Sequence, residues 1–98
     1  MHEKEGRRFY SRDYDIAVYK IDGNVHAFSN ICPHQKAAII YDGFIEDNCV
    51  VCPSHGWMFD IETGKAKSGF SRLKVYETEI SGGEVYVIIP EEKLFANW

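Results

Sequence analysis

Two short Cys/His motifs constrain this chain more than any other feature of its sequence. They are Cys32-Pro33-His34 and Cys52-Pro53-Ser54-His55. Each motif supplies one thiolate and one imidazole, and each places Pro directly after the Cys, which indicates two matching loops that close on one inorganic centre. Two sulfur and two nitrogen ligands suit zinc or an iron-sulfur cluster. The sequence therefore predicts a metal centre formed by four side chains: Cys32, His34, Cys52 and His55.

The spacing within the motifs bears on which metal is bound. Structural zinc sites usually place roughly two to four residues between paired ligands, whereas a single residue separates Cys32 from His34. That spacing is tight for two corners of one tetrahedron. A two-iron cluster relaxes the constraint, because the two Cys can bind one iron and the two His the other. A zinc site and a mononuclear iron site remain the alternatives.

The two motifs resemble those of the Rieske 2Fe-2S family, in which two His replace two of the four Cys ligands. The resemblance continues past the second motif through two segments that are typical of Rieske ferredoxins: Gly56-Trp57-Met58-Phe59-Asp60 and Thr63-Gly64-Lys65-Ala66. It implies that Cys32 and Cys52 hold a buried iron, and that His34 and His55 hold an outer iron near the surface. Redox partners would then dock at the histidine end.

Hydrophobic alternation with a period of two, interrupted by turn residues, predicts an all-β chain. The predicted strands and hairpin arms are 15–21, 25–29, 44–45, 49–51, 57–61, 74–80 and 84–89. Pro90 is expected to end this pattern before a polar tail, and no convincing amphipathic helix is present. The resemblance implies an antiparallel β-sandwich, a single Rieske domain over residues 1–98, with a small cluster-binding subdomain between about residues 28 and 59.

Composition narrows the class of protein. The formal net charge is −4 over 98 residues, which argues against nucleic-acid binding, and no apolar stretch is long enough for a membrane span. The N-terminus lacks the apolar core of a secretory signal. Cys49 is the one cysteine outside the ligand set and so has no other to pair with, which favours a reducing compartment. We therefore expect a soluble cytoplasmic protein in which Cys49 is a small core or sheet-edge residue. Exposed charges are interpreted as a mixed surface, with basic residues at Lys65, Lys67, Arg72 and Lys74.

Counting charge indicates what such a centre does. Two ferric ions, two sulfides and two thiolates sum to zero, so an electron is accepted more easily than by an all-Cys cluster. No coordination position is open to substrate, so we expect electron transfer and not catalysis. The favoured function is a ferredoxin between a flavin-dependent reductase and a terminal oxygenase. The alternatives are the small subunit of an assimilatory nitrite reductase and a zinc-stabilised interaction module. An oxygenase fragment is disfavoured because the chain ends soon after the Rieske domain and no mononuclear iron site follows.

Some positions depart from the family pattern. Lys36 stands where many members have Gly, so either the loop takes a different path or Lys36 adopts a positive φ. Trp57 and Phe59 stand where high-potential members carry Ser and Tyr, whose hydroxyls stabilise the reduced cluster, and Ala37 and Ser54 replace the pair of extra Cys that form a disulfide there. We therefore expect no such disulfide and a low reduction potential.

Overall fold

A computed structural model describes residues 4–11, 13–33, 36–54, 56–67, 69–89 and 93–96. Nine strands and one short 3-10 turn, Ile40–Asp42, are present in these residues. The strands are β1 Gly6–Ser11, β2 Tyr14–Ile21, β3 Asn24–Ser29, β4 Phe44–Glu46, β5 Cys49–Val51, β6 Met58–Asp60, β7 Val75–Ser81, β8 Glu84–Ile88 and β9 Lys93–Ala96. The described part of the chain contains no helix that is long and apolar enough to cross a membrane.

The strands form two antiparallel sheets. The larger has the order β1-β2-β3-β7-β8-β9 and the smaller the order β4-β5-β6. The register pairs Ala17 with Phe28 between β2 and β3, and Val50 with Phe59 between β5 and β6. The predicted antiparallel all-β fold is confirmed.

Two-residue turns set the register of three hairpins. Asp22-Gly23 and Gly82-Gly83 join β2 to β3 and β7 to β8, and Asp47-Asn48 joins β4 to β5. Both residues of each turn have positive φ, for example 50° and 60° at Asp47 and Asn48. Tight hairpins favour this left-handed geometry because it matches the right-handed twist of the flanking strands, and Gly, Asn and Asp adopt it at low cost.

The core lies on both faces of β2, which explains why residues 16–19 are all buried. Ala17 and Tyr19 face a cluster between the two sheets, which also contains Phe28, Val50, Phe59 and Leu73. Ile16 and Val18 face a second cluster on the other side of the large sheet. The side chains of β2 therefore alternate between two faces as predicted, but both faces are apolar.

The chain ends differ from the sequence-based expectation. The tail after Pro90, expected to lack regular structure, contains β9, which pairs with β8 in the register Tyr86 to Phe95. Strand β1 was also not predicted, and it pairs with β2 along its whole length. Both are edge strands, which are held by main-chain hydrogen bonds and so carry a weak hydrophobic pattern. Pro90 itself lies outside the described residues.

Candidate metal centre

The first Cys motif lies in a loop that follows β3. The N–H of Cys32 donates to the carbonyl of Ala37 at 3.0 Å, and the N–H of Lys36 donates to the carbonyl of Cys32 at 2.7 Å. An isolated bridge between Ile31 and Ala38 closes the base of this loop. The backbone of Cys32 is thus fixed from both sides by local hydrogen bonds.

The second motif joins β5 to β6 and repeats this arrangement. The N–H of Cys52 donates to the carbonyl of Trp57 at 2.8 Å, the same spacing of five residues as in the first loop. The residue four positions after each Cys has a positive φ: 52° at Lys36 and 70° at Gly56. The two loops therefore share one backbone design, as the paired motifs predicted.

Lys36 adopts a positive φ, the second of the two alternatives expected from the sequence, and the loop geometry is kept. This left-handed conformation is unfavourable for a residue with a Cβ by roughly 1–2 kcal/mol. Its side chain is exposed. The first loop therefore carries backbone strain that the second loop avoids by having Gly56.

We expect substitutions at these two equivalent positions to have unequal effects. A Cβ at Gly56 would meet no atom within 4 Å, so Gly56→Ala adds backbone strain alone, about 1 kcal/mol, and lowers the thermal midpoint by roughly 4–8 °C. Lys36→Gly removes strain and should leave the midpoint unchanged or raise it. Thermal melts followed by circular dichroism at one scan rate provide the measurement, and a Lys36→Gly variant as damaged as Gly56→Ala would contradict the equivalence.

Cys32 and Cys52 meet in the core between the two sheets. Both are fully buried, and neither forms a disulfide. Burial raises the pKa of the Cys52 thiol to about 11, the backbone N–H of Ser54 opposes this shift, and the adjacent Cys32 thiol adds to it. Two thiolates at this place would be costly without a neutralising cation.

These observations fit the donor set of an iron-sulfur centre. The sulfurs are close to each other, shielded from water and unbonded, and a main-chain N–H points at one of them, as is common around cluster thiolates. A raised pKa and complete burial do not suit a nucleophilic cysteine. His34 and His55, the other two predicted ligands, lie outside the described residues, so their part in the ligand set stays a prediction.

Asn30 anchors the first loop, although no motif in the sequence singles it out. Among the residues that the structure describes, it is the one polar residue that is fully buried. Its side-chain carbonyl accepts the N–H of Tyr41 at 2.7 Å, and its amide donates to the carboxylate of Asp15 at 2.9 Å. Its main-chain carbonyl accepts the N–H groups of Ile39 and Ile40. Asn30 therefore ties both ends of the Cys32 loop to β2.

Asp15 links this anchor to a surface ion pair. Arg8 donates to both carboxylate oxygens of Asp15, at 2.9 and 2.6 Å. This contact is the main cause that lowers the pKa of Asp15; burial opposes it, and the Asn30 amide supports it. The carboxylate is thus held ionised where it supports Asn30.

The lowered pKa gives a stability that depends on pH. A carboxyl group with a depressed folded-state pKa stabilises the fold above its unfolded value, near 3.8, and this stabilisation is lost as the pH falls through the folded value. At pH 6 we expect the thermal midpoint of the parent protein to exceed that of Asp15→Asn, with a difference that shrinks between pH 5 and pH 3. Asp47→Asn, in an exposed turn, is the matched control. A difference that is constant over this range would contradict the assignment.

The remaining residues near the thiols match their expected places. Cys49 lies on β5 and is fully buried, which is the first of its two expected places, core or sheet edge. Phe59 is buried on β6, and Trp57 is partly buried against the same cluster. Tyr19 donates its hydroxyl to the carbonyl of Ile40 and so adds a second link between β2 and the first loop.

Comparison with known proteins agrees with this site. A model of the Rieske [2Fe-2S] domain matches residues 1–79. The 3-phenylpropionate/cinnamic acid dioxygenase ferredoxin subunit of Photorhabdus laumondii is 37% identical over 82 residues, 81% of this chain and 77% of that protein. The alkene monooxygenase ferredoxin component of Xanthobacter autotrophicus is 28% identical over 76 residues, 76% of this chain. The match spans 62% of that relative, less than two thirds of its length.

Solved structures show the same fold. A chain in the complex of reduced oxygenase and oxidized ferredoxin in carbazole 1,9a-dioxygenase superposes with a TM-score of 0.80 at 31% identity, over 90% of this chain and 92% of that chain. A protein described as a nitrite reductase NADPH small subunit superposes with a TM-score of 0.82 over 91% of this chain and 90% of that one. Because the two sequences are only 20% identical, this similarity supports the fold and nothing further. With the family model covering most of its length, the chain belongs to the Rieske [2Fe-2S] domain family, and its cofactor is a Rieske-type 2Fe-2S cluster.

Proposed function

We propose that this chain is the ferredoxin of an oxygenase system, carrying one electron at a time from a flavin-dependent reductase to a terminal oxygenase. The observation that carries the proposal is the pair of buried thiols that two matching loops bring together. The relatives that support it are ferredoxin components of dioxygenase and monooxygenase systems. The chain itself acts in electron transfer and not as a catalyst.

The proposed ligand set divides between the two irons. Cys32 and Cys52 would hold the inner iron, and His34 and His55 would hold the outer iron at the end where partners would dock. A Rieske cluster supplies a one-electron carrier there. The protein buries both thiolates, fixes their backbone through the two loop-closing hydrogen bonds, and excludes water from the cysteine end.

The proposed organisation is a single domain over residues 1–98, in which 28–59 forms the cluster-binding part. That segment includes both loops and the hairpin of β4 and β5. We place the protein in the cytoplasm, because the free thiol of Cys49 suits a reducing compartment.

The alternatives are less well supported. The likeness to a nitrite reductase small subunit reaches only 20% identity and so carries no function, whereas relatives above 30% identity are dioxygenase ferredoxins. A zinc-stabilised interaction module does not agree with membership of the Rieske family.

The reduction potential tests the proposed role. Neither Trp57 nor Phe59 has the hydroxyl that stabilises the reduced cluster in high-potential members, so we expect a potential near the bottom of the Rieske range, about −150 mV. A potentiometric titration followed by EPR provides the measurement. Phe59→Tyr restores one hydroxyl and should raise the potential, with Phe9→Tyr, which packs on the other side of the large sheet, as the control. A parent potential well above zero would contradict the low-potential assignment.

A further inference from the structure

One loop of the chain extends from β6 toward the second ligand loop. The N–H of Asp60 donates to the carbonyl of Lys65 at 2.9 Å, and the N–H of Lys67 donates to the carbonyl of Met58 at 2.9 Å. The segment 65–67 therefore runs antiparallel to β6, so that its distal end lies level with Met58, where the loop 52–57 ends. The turn that follows Lys67 is consequently placed beside the proposed cluster site.

Phe70 lies in this turn and is fully exposed, with a relative accessibility of 105%. Other large apolar side chains of the described residues reach at most 62%. A single exposed aromatic residue is common on protein surfaces, so exposure alone assigns no role. The role of Phe70 is inferred from its position beside the second ligand loop and from the residues around it.

The neighbours of Phe70 are basic. Lys65, Lys67 and Arg72 are exposed, and within the described part of the chain none of them forms an ion pair. An open depression of about 330 Å³ lies beside Phe70, lined in part by Lys65 and Arg72. The formal charge of the whole chain is −4, so this region has the sign opposite to that of the molecule.

Asp60, an acid on β6 that pairs with the segment 65–67, is held mainly by other contacts. Its carboxylate accepts the N–H groups of Glu62 and Thr63 at 2.8 and 3.0 Å, which closes the turn at the opposite end of β6. These main-chain contacts are the main cause that holds the pKa of Asp60 below its usual range. Lys67 makes a smaller attractive contribution to this carboxylate and, within the described residues, forms no ion pair with it, so the basic side chains can still pair with an external partner.

We propose that the Phe70 loop, defined as Lys67, Gly69, Phe70, Ser71 and Arg72, is a docking surface for an acidic redox protein. Phe70 enters an apolar recess of that partner, and Lys67 and Arg72 pair with carboxylates around the recess. Interfaces favour this combination of a central aromatic anchor and Arg. The proposal rests on the proposed electron-transfer function, since it names the chemistry of one partner.

The charge component is tested with two aromatic dyes of opposite charge as electron acceptors. Reduced holoprotein is mixed in a stopped-flow instrument with 2,6-dichlorophenolindophenol, an anion at neutral pH, or with methylene blue, a cation. At low ionic strength, Lys67→Gln with Arg72→Gln should slow oxidation by the anionic dye by about two- to fourfold and leave the cationic dye unslowed. Arg7→Gln with Lys20→Gln removes the same charge from the far end of β1 and β2 and should change neither rate by much.

The apolar component is tested by Phe70→Ser. Loss of aromatic stacking should slow both dyes by about two- to tenfold, whereas Phe44→Ser, at a half-exposed aromatic on β4, should not. Rates unaffected by Phe70→Ser, or slowed equally by the two charge pairs, would overturn the proposal. Cluster content and potential are measured for every variant. These measurements would reveal a protein that lacks the cluster. Failure of the docking proposal can therefore be distinguished from failure of the proposed function.

Discussion

Replacing Cys52 with Ser is expected to abolish the visible absorption of the cluster and to reduce the iron content to background. A serine hydroxyl ionises far less readily than a thiol and is a poor ligand for iron in place of sulfur. Because Cys52 is fully buried beside Cys32, no solvent or mobile side chain can take its place. The loss should therefore be complete.

Cys49→Ser is the matched control for this experiment. Cys49 is also fully buried and free, and it lies three positions earlier on β5, so the same atom is changed in a similar setting. We expect Cys49→Ser to retain two irons per chain with a modest loss of stability. Iron analysis and absorption spectra of both variants show which of the two cysteines is a cluster ligand. Cluster loss in the Cys49 variant with retention in the Cys52 variant would reverse the ligand assignment.

Asn30→Ala should have the second largest effect, a loss of about 3 kcal/mol in the free energy of unfolding. The substitution leaves the N–H of Tyr41 without its partner and removes the Asn30 donor from the Asp15 carboxylate, which keeps Arg8. The unsatisfied N–H costs about 1–3 kcal/mol, and the lost hydrogen bond to the carboxylate and the cavity add to this. Differential scanning calorimetry at one scan rate gives the shift in thermal midpoint.

The control is Asn24→Ala, because Asn24 is exposed at the start of β3 and should change stability by less than about 0.5 kcal/mol. The Asn30 variant should also release its iron faster to a chelator, since its side chain ties the Cys32 loop to β2. A variant as stable as the control and equally retentive of iron would show that Asn30 does not position the loop.

The sequence was most informative where structure is local. The turns Asp22-Gly23, Asp47-Asn48 and Gly82-Gly83 predict their hairpins because residues that tolerate positive φ stand between apolar runs. The Cys motifs were equally informative, because their chemistry and spacing limit the centre before any fold is known. The matching hydrogen bonds of the two loops follow from the matching motifs.

Long-range features were less accessible. The edge strands β1 and β9 are defined by their neighbours, and their own residues have no clear alternation. Asn30 is a single polar residue beside a motif, and only the fold shows that five hydrogen bonds converge on it. At Lys36 the sequence allowed two outcomes, and the loop, closed by local hydrogen bonds, adopts the strained one.

Iron and acid-labile sulfide per chain, measured on anaerobically purified protein together with an EPR spectrum after dithionite reduction, test the central claim most directly. Two irons, two sulfides and a Rieske-type signal are the result expected for a cluster held by Cys32, His34, Cys52 and His55. Zinc, or a single iron without sulfide, would contradict it and leave the paired motifs as a mononuclear site.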